Sequence, residues 1–572
     1  MPFRRFSRTL KALESPVHAG TLALLQALIV GLLVGVVIVL FRETTAGIRI
    51  WRKALGLHPQ LWWQWGMLPL IGFVGGAIAG HLTEWAPDAK GSGIPQLKHS
   101  LVAPSRPTLL RTVWVKFLGA SVAIGSGLSL GREGPSVQIG GGIGEWVSRW
   151  FPRSRQDRRR LMAAGAAAGL AAAFNAPFAG FVFSVEELLK NFSARSMSTV
   201  ILATVTASMV SHAFAGDVYT YRIPATSFHL RELPCYLLLG ILAGGLGALF
   251  IHGVLASQDL YQRLSFIPRA WRPALAGLLT GMVGWWLPSV LGGGHGLAES
   301  AFHAQLLGWT VLVLFLAKFA LTLLACGSGA PGGIFAPSLV LGAVLGAGVG
   351  QVSNLFTGGD ATAIASFAFV GMGALFTAIA RTPITAIVIV PELTGNYHQV
   401  LPLMLACMTA HAVATLLKEG SIYDALLARE GTFLSEGTLP EELGILTVDD
   451  VMTQAVECLD ASQPIADARR RFLESGHGGF PVCEGDRLVG ILTRSDLLGV
   501  PADASLTSAM TSSPIVVSRE APLGRAWELF SEHEVGRLVV VDAADATHPV
   551  GILTRSDLLH GAKRSLASGL KF

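Results

Sequence analysis

Charge is scarce in this sequence: Asp, Glu, Lys and Arg together make up 14% of its 572 residues, against 51% hydrophobic residues. With a mean hydropathy of +0.53, the apolar surface exceeds what one water-soluble core covers, which excludes an ordinary soluble globular protein and places the chain in a bilayer. The net charge of +5 names no partner, and so apolar a chain is not expected to bind nucleic acid. Cysteine is scarce too. The five, Cys235, Cys326, Cys407, Cys458 and Cys483, form no CxxC pair, so neither a disulfide framework nor a metal site is expected. The first apolar stretch follows Arg4, Arg5, Arg8 and Lys11 and lacks a small-x-small cleavage site before Arg42 and Glu43. It reads as a first spanning helix with a cytoplasmic N-terminus, not as a cleaved signal peptide.

What is abundant is apolar sequence in runs. Thr21 to Phe41, Leu68 to Gly80, Trp114 to Gly127, Leu237 to Phe250 and Thr310 to Cys326 approach or reach the ~20 residues that cross a hydrocarbon core, while others are shorter and interrupted by glycine and proline. Broken helices are tolerated in a membrane only where they are buried in protein or line a polar cavity, which points to a transporter or channel. The arginines at 153, 155, 158, 159 and 160 form a second cytoplasmic marker. From Lys418 to Leu443 the apolar runs give way to charge-bearing sequence, so a spanning domain is expected over 1–435. Beyond it, Gly490 to Leu498 recurs unchanged as Gly551 to Leu559, and Val451-Met-Thr453 has a mate in Ala509-Met-Thr511. This is a duplicated α/β module. The copies, expected over 445–500 and 506–565, resemble a tandem pair of CBS domains, with the Gly-hydrophobic-x-Thr-x-x-Asp signature in both.

A second duplication lies in the apolar part. Gly131, Pro135 and Ser136 match Gly333, Pro337 and Ser338 at a spacing of 202 residues; Gly165, Pro177 and Glu186 match Gly371, Pro383 and Glu392 at 206; and Gly91 falls on Gly292 at 201. Three blocks in one order at near-equal spacing make a repeated membrane unit, whose substrate site is expected near the midplane where the halves meet.

Three segments share one physical design: Gly91-Ser-Gly-Ile-Pro95, Gly131-Arg-Glu-Gly-Pro135 and Gly332-Gly-Ile-Phe-Ala-Pro337. Proline suits a first helical turn and glycine lets backbone N–H groups approach a ligand. A helix N-terminus carries roughly half a positive charge with free donors, so several such ends aimed at one point make an anion site. One Gly-Pro cluster alone is merely a turn, but three in a duplicated membrane domain point to function.

In this order GSGIP, GREGP and GGIFAP resemble the signature segments of the CLC chloride channel and transporter family, as does GAAAGLAAAFNAPFAG at Gly165 to Gly180. The resemblance implies an all-α polytopic membrane fold, an inverted repeat of tilted broken helices, ahead of the α/β CBS pair. It implies a homodimer with one pore per subunit. The CBS pair is expected in the cytoplasm, and the Ala, Gly, Leu and Arg usage is compatible with a bacterial inner membrane protein. It implies that chloride lies between the hydroxyls of Ser92 and Tyr423 and the amides of Ile334 and Phe335, with Glu133 as gate. In the antiporter branch a glutamate at the position of Glu187 takes up cytoplasmic protons, which favours chloride/proton exchange; a passive channel is the alternative. By the same resemblance no cofactor is required, the partners are chloride, protons and lipid, and proline in place of Ser92 favours nitrate. The CBS resemblance offers Thr493 and Thr554 for the phosphates of an adenine nucleotide and Asp496 and Asp557 for its ribose.

The acids also have a reading of their own. A carboxylate at membrane depth is costly unless functional or paired. Ionised, Glu133 can occupy the N–H-lined site that an anion would take; protonated, it leaves, and this competition couples protons to anions. Arg132 offers a salt-bridge reading, although adjacent residues rarely face each other. Glu186, with a repeat mate in Glu392, reads as a helix-end hydrogen-bond acceptor; Glu187 has no mate, and its other reading is a solvated helix end beside Lys190. Lys116 is expected to add positive potential to the pathway. Gly292-Gly-Gly-His-Gly296 reads as a decayed copy of GSGIP that needs no ligand, and Pro391 predicts a local kink. An intramembrane serine hydrolase built on Ser92 would need a histidine base and would leave the acids unexplained.

Overall fold

In the computed structural model the repeat read from the sequence is a repeat of helices. The structure describes residues 16–558 except 57–65, 103–109, 151–154, 190–193, 217–218, 225–227, 307, 419, 430–445, 455, 476, 495, 498–499, 502–503, 534, 544, 546 and 555–556. Arg4, Arg5, Arg8, Lys11, Arg153 and Lys190 lie outside the described residues. The chain divides into two compact units, Met1–Leu434 and Ser435–Phe572.

The first half of the larger unit runs α1 (Pro16–Gly56), α2 (Met67–Trp85), α3 (Ile94–Val102), α4 (Leu110–Ser126), α5 (Glu133–Ser148), α6 (Arg155–Phe174), α7 (Pro177–Phe183) and α8 (Ala194–Ala215). The second half runs α9 (Leu233–Arg263), α10 (Arg272–Trp286), α11 (His295–Phe302), α12 (Trp309–Gly327), α13 (Phe335–Thr357), α14 (Ala361–Ala380), α15 (Pro383–Thr394) and α16 (Val400–Leu417), followed by α17 (Ile422–Arg429). The short elements fall where the sequence is broken by glycine and proline: α3 and α11 follow the glycine loops, and α7 and α15 each begin on a proline, which needs no N–H partner there. Helix α15 continues through Pro391. Among the described residues eight helices are long and apolar enough to cross a membrane, and one of them, α14, is buried from Ala363 to Ala380, as its apolar sequence requires.

Corresponding helices pack alike in the two halves. A β-carbon on Gly140 of α5 would lie 2.1 Å from the carbonyl oxygen of Gly165 on α6, and one on Gly165 would lie 2.2 Å from that of Gly140. Their mates Gly342 and Gly371 on α13 and α14 repeat the contact at 2.3 and 2.4 Å. Only glycine lets these backbones touch, and close backbone approach through small residues is what holds helices together in lipid. The halves also exchange caps. Glu186 accepts hydrogen bonds from the amides of Ile384 (3.0 Å) and Thr385 (2.7 Å) at the start of α15, and Glu392 accepts from Phe178 (3.0 Å) and Ala179 (2.7 Å) at the start of α7. Each carboxylate satisfies donors that a helix N-terminus leaves unpaired, the role read for Glu186 from its repeat mate.

The arginine run is more than a solvated surface. Arg158 and Arg149, the C-cap of α5, reach the buried carboxylate of Glu145 at 2.8 and 3.0 Å.

The smaller unit contains β1 (Thr453–Gln454), β2 (Leu459–Asp460), α18 (Ile465–Ser475), β3 (Gly479–Glu484), β4 (Arg487–Thr493), α19 (Leu506–Ala509), β5 (Val516–Ser518), α20 (Leu523–Glu532), β6 (Arg537–Val541) and β7 (Pro549–Thr554). One sheet has the order β2-β3-β4 and the other β1-β7-β6-β5. The copies trade their leading segments: Thr453 pairs with Ile552 of the second copy, while Thr511 pairs with Ile491 of the first. The two Met-Thr repeats of the sequence thereby serve each other's sheet.

Candidate functional site

The three glycine loops meet. Gly131 and Gly333, repeat mates, donate to each other's carbonyls at 2.7 Å both ways, and the amide of Gly332 donates to Gly91 O at 3.0 Å. A β-carbon on Gly134 would stand 2.6 Å from both the carbonyl oxygen and Oγ of Ser92 and 3.1 Å from Gly333 Cα. Gly134 of GREGP is therefore packed directly against Ser92 and against Gly333 of GGIFAP.

Around this junction the polar groups are buried. Glu133 is fully buried, and its Oε2 accepts from the amide of Ala336 in the first turn of α13 at 3.3 Å. Ile334 is the N-cap of α13 and Phe335 its first residue, so their amides belong to the same turn, which has no intrahelical acceptors. The carboxylate thus sits where an anion is electrostatically favoured. Arg132 Nε lies 4.0 Å from Glu133 Oε1, beyond hydrogen-bond range, while its Nη2 donates to Ala173 O at 3.2 Å. The Oγ of Ser92 and the hydroxyl of Tyr423 are both buried and have no hydrogen-bond partner among the described residues. Buried hydroxyls without partners are uncommon and need an explanation. The ring of Phe335 packs on Phe174, Phe183 and Phe376, with centroids 5.5, 5.9 and 4.2 Å away, and Tyr423 belongs to the same buried cluster as Ile334 and Phe335. Among the described residues no histidine bonds to Ser92 Oγ.

Two lysines set the loops from behind. Lys116 Nζ donates to Ala89 O (3.0 Å) and Gly91 O (2.7 Å), and Lys318 Nζ donates to Val290 O (2.9 Å) and Gly292 O (2.5 Å). Both are fully buried. Lys116 is thus an anchor for the carbonyls of the GSGIP loop, beyond the general positive potential read from the sequence. Its mate Lys318 was overlooked, although its spacing of 202 residues from Lys116 was there to be read.

Glu187 stands apart from this junction. It lies in the π-helical continuation of α7, Ser184–Leu189, and is 4% exposed, so it is no solvated helix end. Its Oε1 is 2.7 Å from Lys98 Nζ, which also holds Asp424 Oδ1 at 2.6 Å. Lys98 lies on α3, which grows out of the Ser92 loop, and Asp424 follows Tyr423 on α17. One buried cation therefore ties the second acid to both elements that carry the site hydroxyls. Neither Lys98 nor Asp424 was singled out in the sequence.

In the smaller unit each CBS signature closes a local turn. Asp496 Oδ2 accepts from Thr493 N and Oγ1, both at 2.8 Å, and Asp557 Oδ2 accepts from Thr554 N at 2.8 Å and Oγ1 at 2.7 Å. Oδ1 of each aspartate takes no part in the turn.

Comparison with known proteins agrees with this architecture. Residues 75–415 match the family described as voltage gated chloride channel, and residues 448–503 and 505–563 match the CBS domain. The H(+)/Cl(-) exchange transporter ClcA of Klebsiella pneumoniae (strain 342) is 36% identical over 419 residues, covering 71% of this chain and 88% of that protein. ClcA of Yersinia pestis bv. Antiqua (strain Angola) is 39% identical over 357 residues, covering 61% and 74%. A slow cyanobacterial Cl-/H+ antiporter superposes with a TM-score of 0.67 at 32% identity, over 71% of this chain and 97% of that one. A eukaryotic CLC transporter, 22% identical, shares the fold with a TM-score of 0.66 over 94% of this chain and 97% of that one. With eight helices suited to spanning among the described residues, the chain is a multi-pass membrane protein.

Proposed function

Because the chain belongs to the voltage gated chloride channel (CLC) family, with a C-terminal pair of CBS domains, we propose that it exchanges chloride for protons across the membrane. The observation that carries this is the bond from Ala336 N–H to Glu133 Oε2: a titratable carboxylate lies on the helix end best suited to an anion. Chloride, held by Ser92, Tyr423 and the amides of Ile334 and Phe335, competes with ionised Glu133, and protonation releases the carboxylate from the site. Glu187, buried against Lys98, hands protons toward it from the cytoplasmic side. The similarity to named chloride/proton exchangers at 36–39% identity supports exchange over a passive channel.

The protein acts as a homodimer in a bacterial inner membrane, with its N-terminus and CBS pair in the cytoplasm. The functional divisions are 1–435 for transport and 445–500 and 506–565 for the CBS copies. Thr493, Asp496, Thr554 and Asp557 recognise an adenine nucleotide, and no resident cofactor takes part in transport.

The deciding experiment places the protein in liposomes under a chloride gradient with an internal pH dye. Protons should move uphill, and the reversal potential should shift with pH. Glu133→Ala should leave a chloride leak without proton movement, and Glu187→Ala should keep Glu133-dependent gating while losing coupled protons. Chloride flow in the unmodified protein with protons at passive equilibrium would establish a channel instead.

A further inference from the structure

The Gly292–Gly296 loop, repeat counterpart of the Ser92 loop, has no part in the exchange just described. It lines a cavity of about 180 Å³ whose wall also contains Arg42, Arg49, Arg52 and Lys53, all from the last part of α1, together with Arg132. An adjoining cavity of about 360 Å³ shares Arg42, Arg49, Arg132 and His295 and reaches Ala173 to Asn175 at the end of α6. Among the described residues neither wall contains Ser92, Tyr423 or Glu187, and neither contains any Asp or Glu. Arg42 is offset by Glu43 at 3.0 Å, which faces neither cavity.

Three nitrogen atoms in these walls are buried without a hydrogen-bond partner among the described residues: Arg52 Nη1, His295 Nε2 and Arg132 Nε, the last 4.0 Å from Glu133 Oε1. The His295 ring is held by stacking on Tyr221, with centroids 5.6 Å apart and planes 21° from parallel, and the Tyr221 hydroxyl is likewise buried without a partner. A guanidinium taken out of water needs an anionic partner to offset its desolvation; Arg132 has Glu133 at 4.0 Å, whereas among the described lining residues none supplies an anion to Arg49 or Arg52. Guanidinium forks match the oxygens of tetrahedral and planar oxyanions better than a spherical halide. A water occupies ~30 Å³, so the space admits a polyatomic anion with some of its hydration.

We propose that this cavity binds a tetrahedral oxyanion, sulfate or phosphate, between Arg49, Arg52 and His295, and that its occupation slows chloride exchange. The link to transport is Arg132, which belongs both to the cavity wall and to the GREGP loop that carries Glu133. The surviving loop of the decayed repeat half thus keeps an anion site of different selectivity from its mate.

The test is calorimetric titration of the full-length protein in detergent, at constant ionic strength, with sodium sulfate and separately with sodium phosphate. At least one should bind saturably, and which one binds identifies the natural ligand's charge preference. Arg49→Gln, an exposed position outside the core, and His295→Ala should each weaken that binding about tenfold or more, as expected for losing a hydrogen bond to a charged group. In liposomes the same oxyanion should slow chloride exchange by the unmodified protein and not by Arg49→Gln. The proposal is overturned if neither salt binds saturably, or if binding is unchanged in both variants. A parallel chloride titration reports on the Ser92 site separately.

Discussion

Lys98 Nζ lies 2.7 Å from the carboxylate of Glu187, and both side chains are almost wholly buried. Removing one partner of a buried pair leaves an uncompensated charge and costs about 3–5 kcal/mol. Lys98→Met should therefore lower the thermal midpoint of the detergent-solubilised protein sharply, and adding Glu187→Gln should recover most of the loss. If the single and double variants melt together, the pair holds nothing. The same cycle in liposomes should show Lys98→Met impairing proton coupling more than chloride flux, since the Lys98 ammonium bonds the proposed proton donor directly and reaches the anion site only through the elements that carry Ser92 and Tyr423.

Glu186 and Glu392 cap each other's helices, so their replacements should behave as a matched pair. Loss of a carboxylate that serves buried amides costs about 1–3 kcal/mol for each donor left unpaired. Glu392→Ala should destabilise by that order, and Glu186→Ala by more, because Glu186 also accepts from Thr385 Oγ1 at 2.6 Å. Thermal melts of the two variants and their glutamine counterparts check this; a Glu186→Ala protein as stable as the unmodified one would contradict the cap.

A helix-end acceptor role for Glu186 was legible in the sequence because Glu186 and Glu392 keep the repeat spacing, and so was the meeting of the glycine loops; that each glutamate caps a helix of the other half was not. The Lys98 bridge was not. Its partners are 89 and 326 residues away, and none of the three follows the repeat. Pairing between residues that far apart is set by how α3, α17 and the end of α7 pack, which no local pattern encodes. Lys318 was legible and missed, since a lysine in an apolar run invites attention only once its mate is seen to hold a loop. Arg49, Arg52 and His295 come together from α1 and the decayed loop, a juxtaposition visible only in the fold.

At the anion site the close approach of Ser92 to Gly134 makes the loop intolerant of added volume. A β-carbon at Gly134 would sit 2.6 Å from Ser92 Oγ, well inside contact distance, so Gly134→Ala must displace the hydroxyl. Chloride flux should fall about tenfold or more, the scale by which a misplaced site group degrades function, while the protein still assembles. Ser92→Pro, in contrast, should raise nitrate transport over chloride. Anion selectivity measured in liposomes decides both; unchanged selectivity in Ser92→Pro would remove Ser92 from the site.

The CBS pair makes the last prediction. In each signature the threonine amide and hydroxyl are both given to one oxygen of the aspartate three residues on. That geometry fixes the carboxylate in a turn at the end of a strand and leaves its second oxygen free of the turn, where a ribose hydroxyl can donate to it. The threonine hydroxyl must let go of its aspartate to meet a phosphate, so phosphate contact adds less affinity than the ribose contact. Calorimetry of the full-length protein with ATP, ADP and AMP should therefore show binding that depends more on the aspartates than on the threonines. Asp496→Ala or Asp557→Ala should weaken it about tenfold, on the scale of one hydrogen bond to a charged acceptor, and Thr493→Ala or Thr554→Ala should weaken it less. Absence of heat with all three nucleotides at millimolar concentration would leave the pair a structural role alone. Equal losses from threonine and aspartate replacements would instead mean that the turn itself, and not the free oxygen, is what the nucleotide needs.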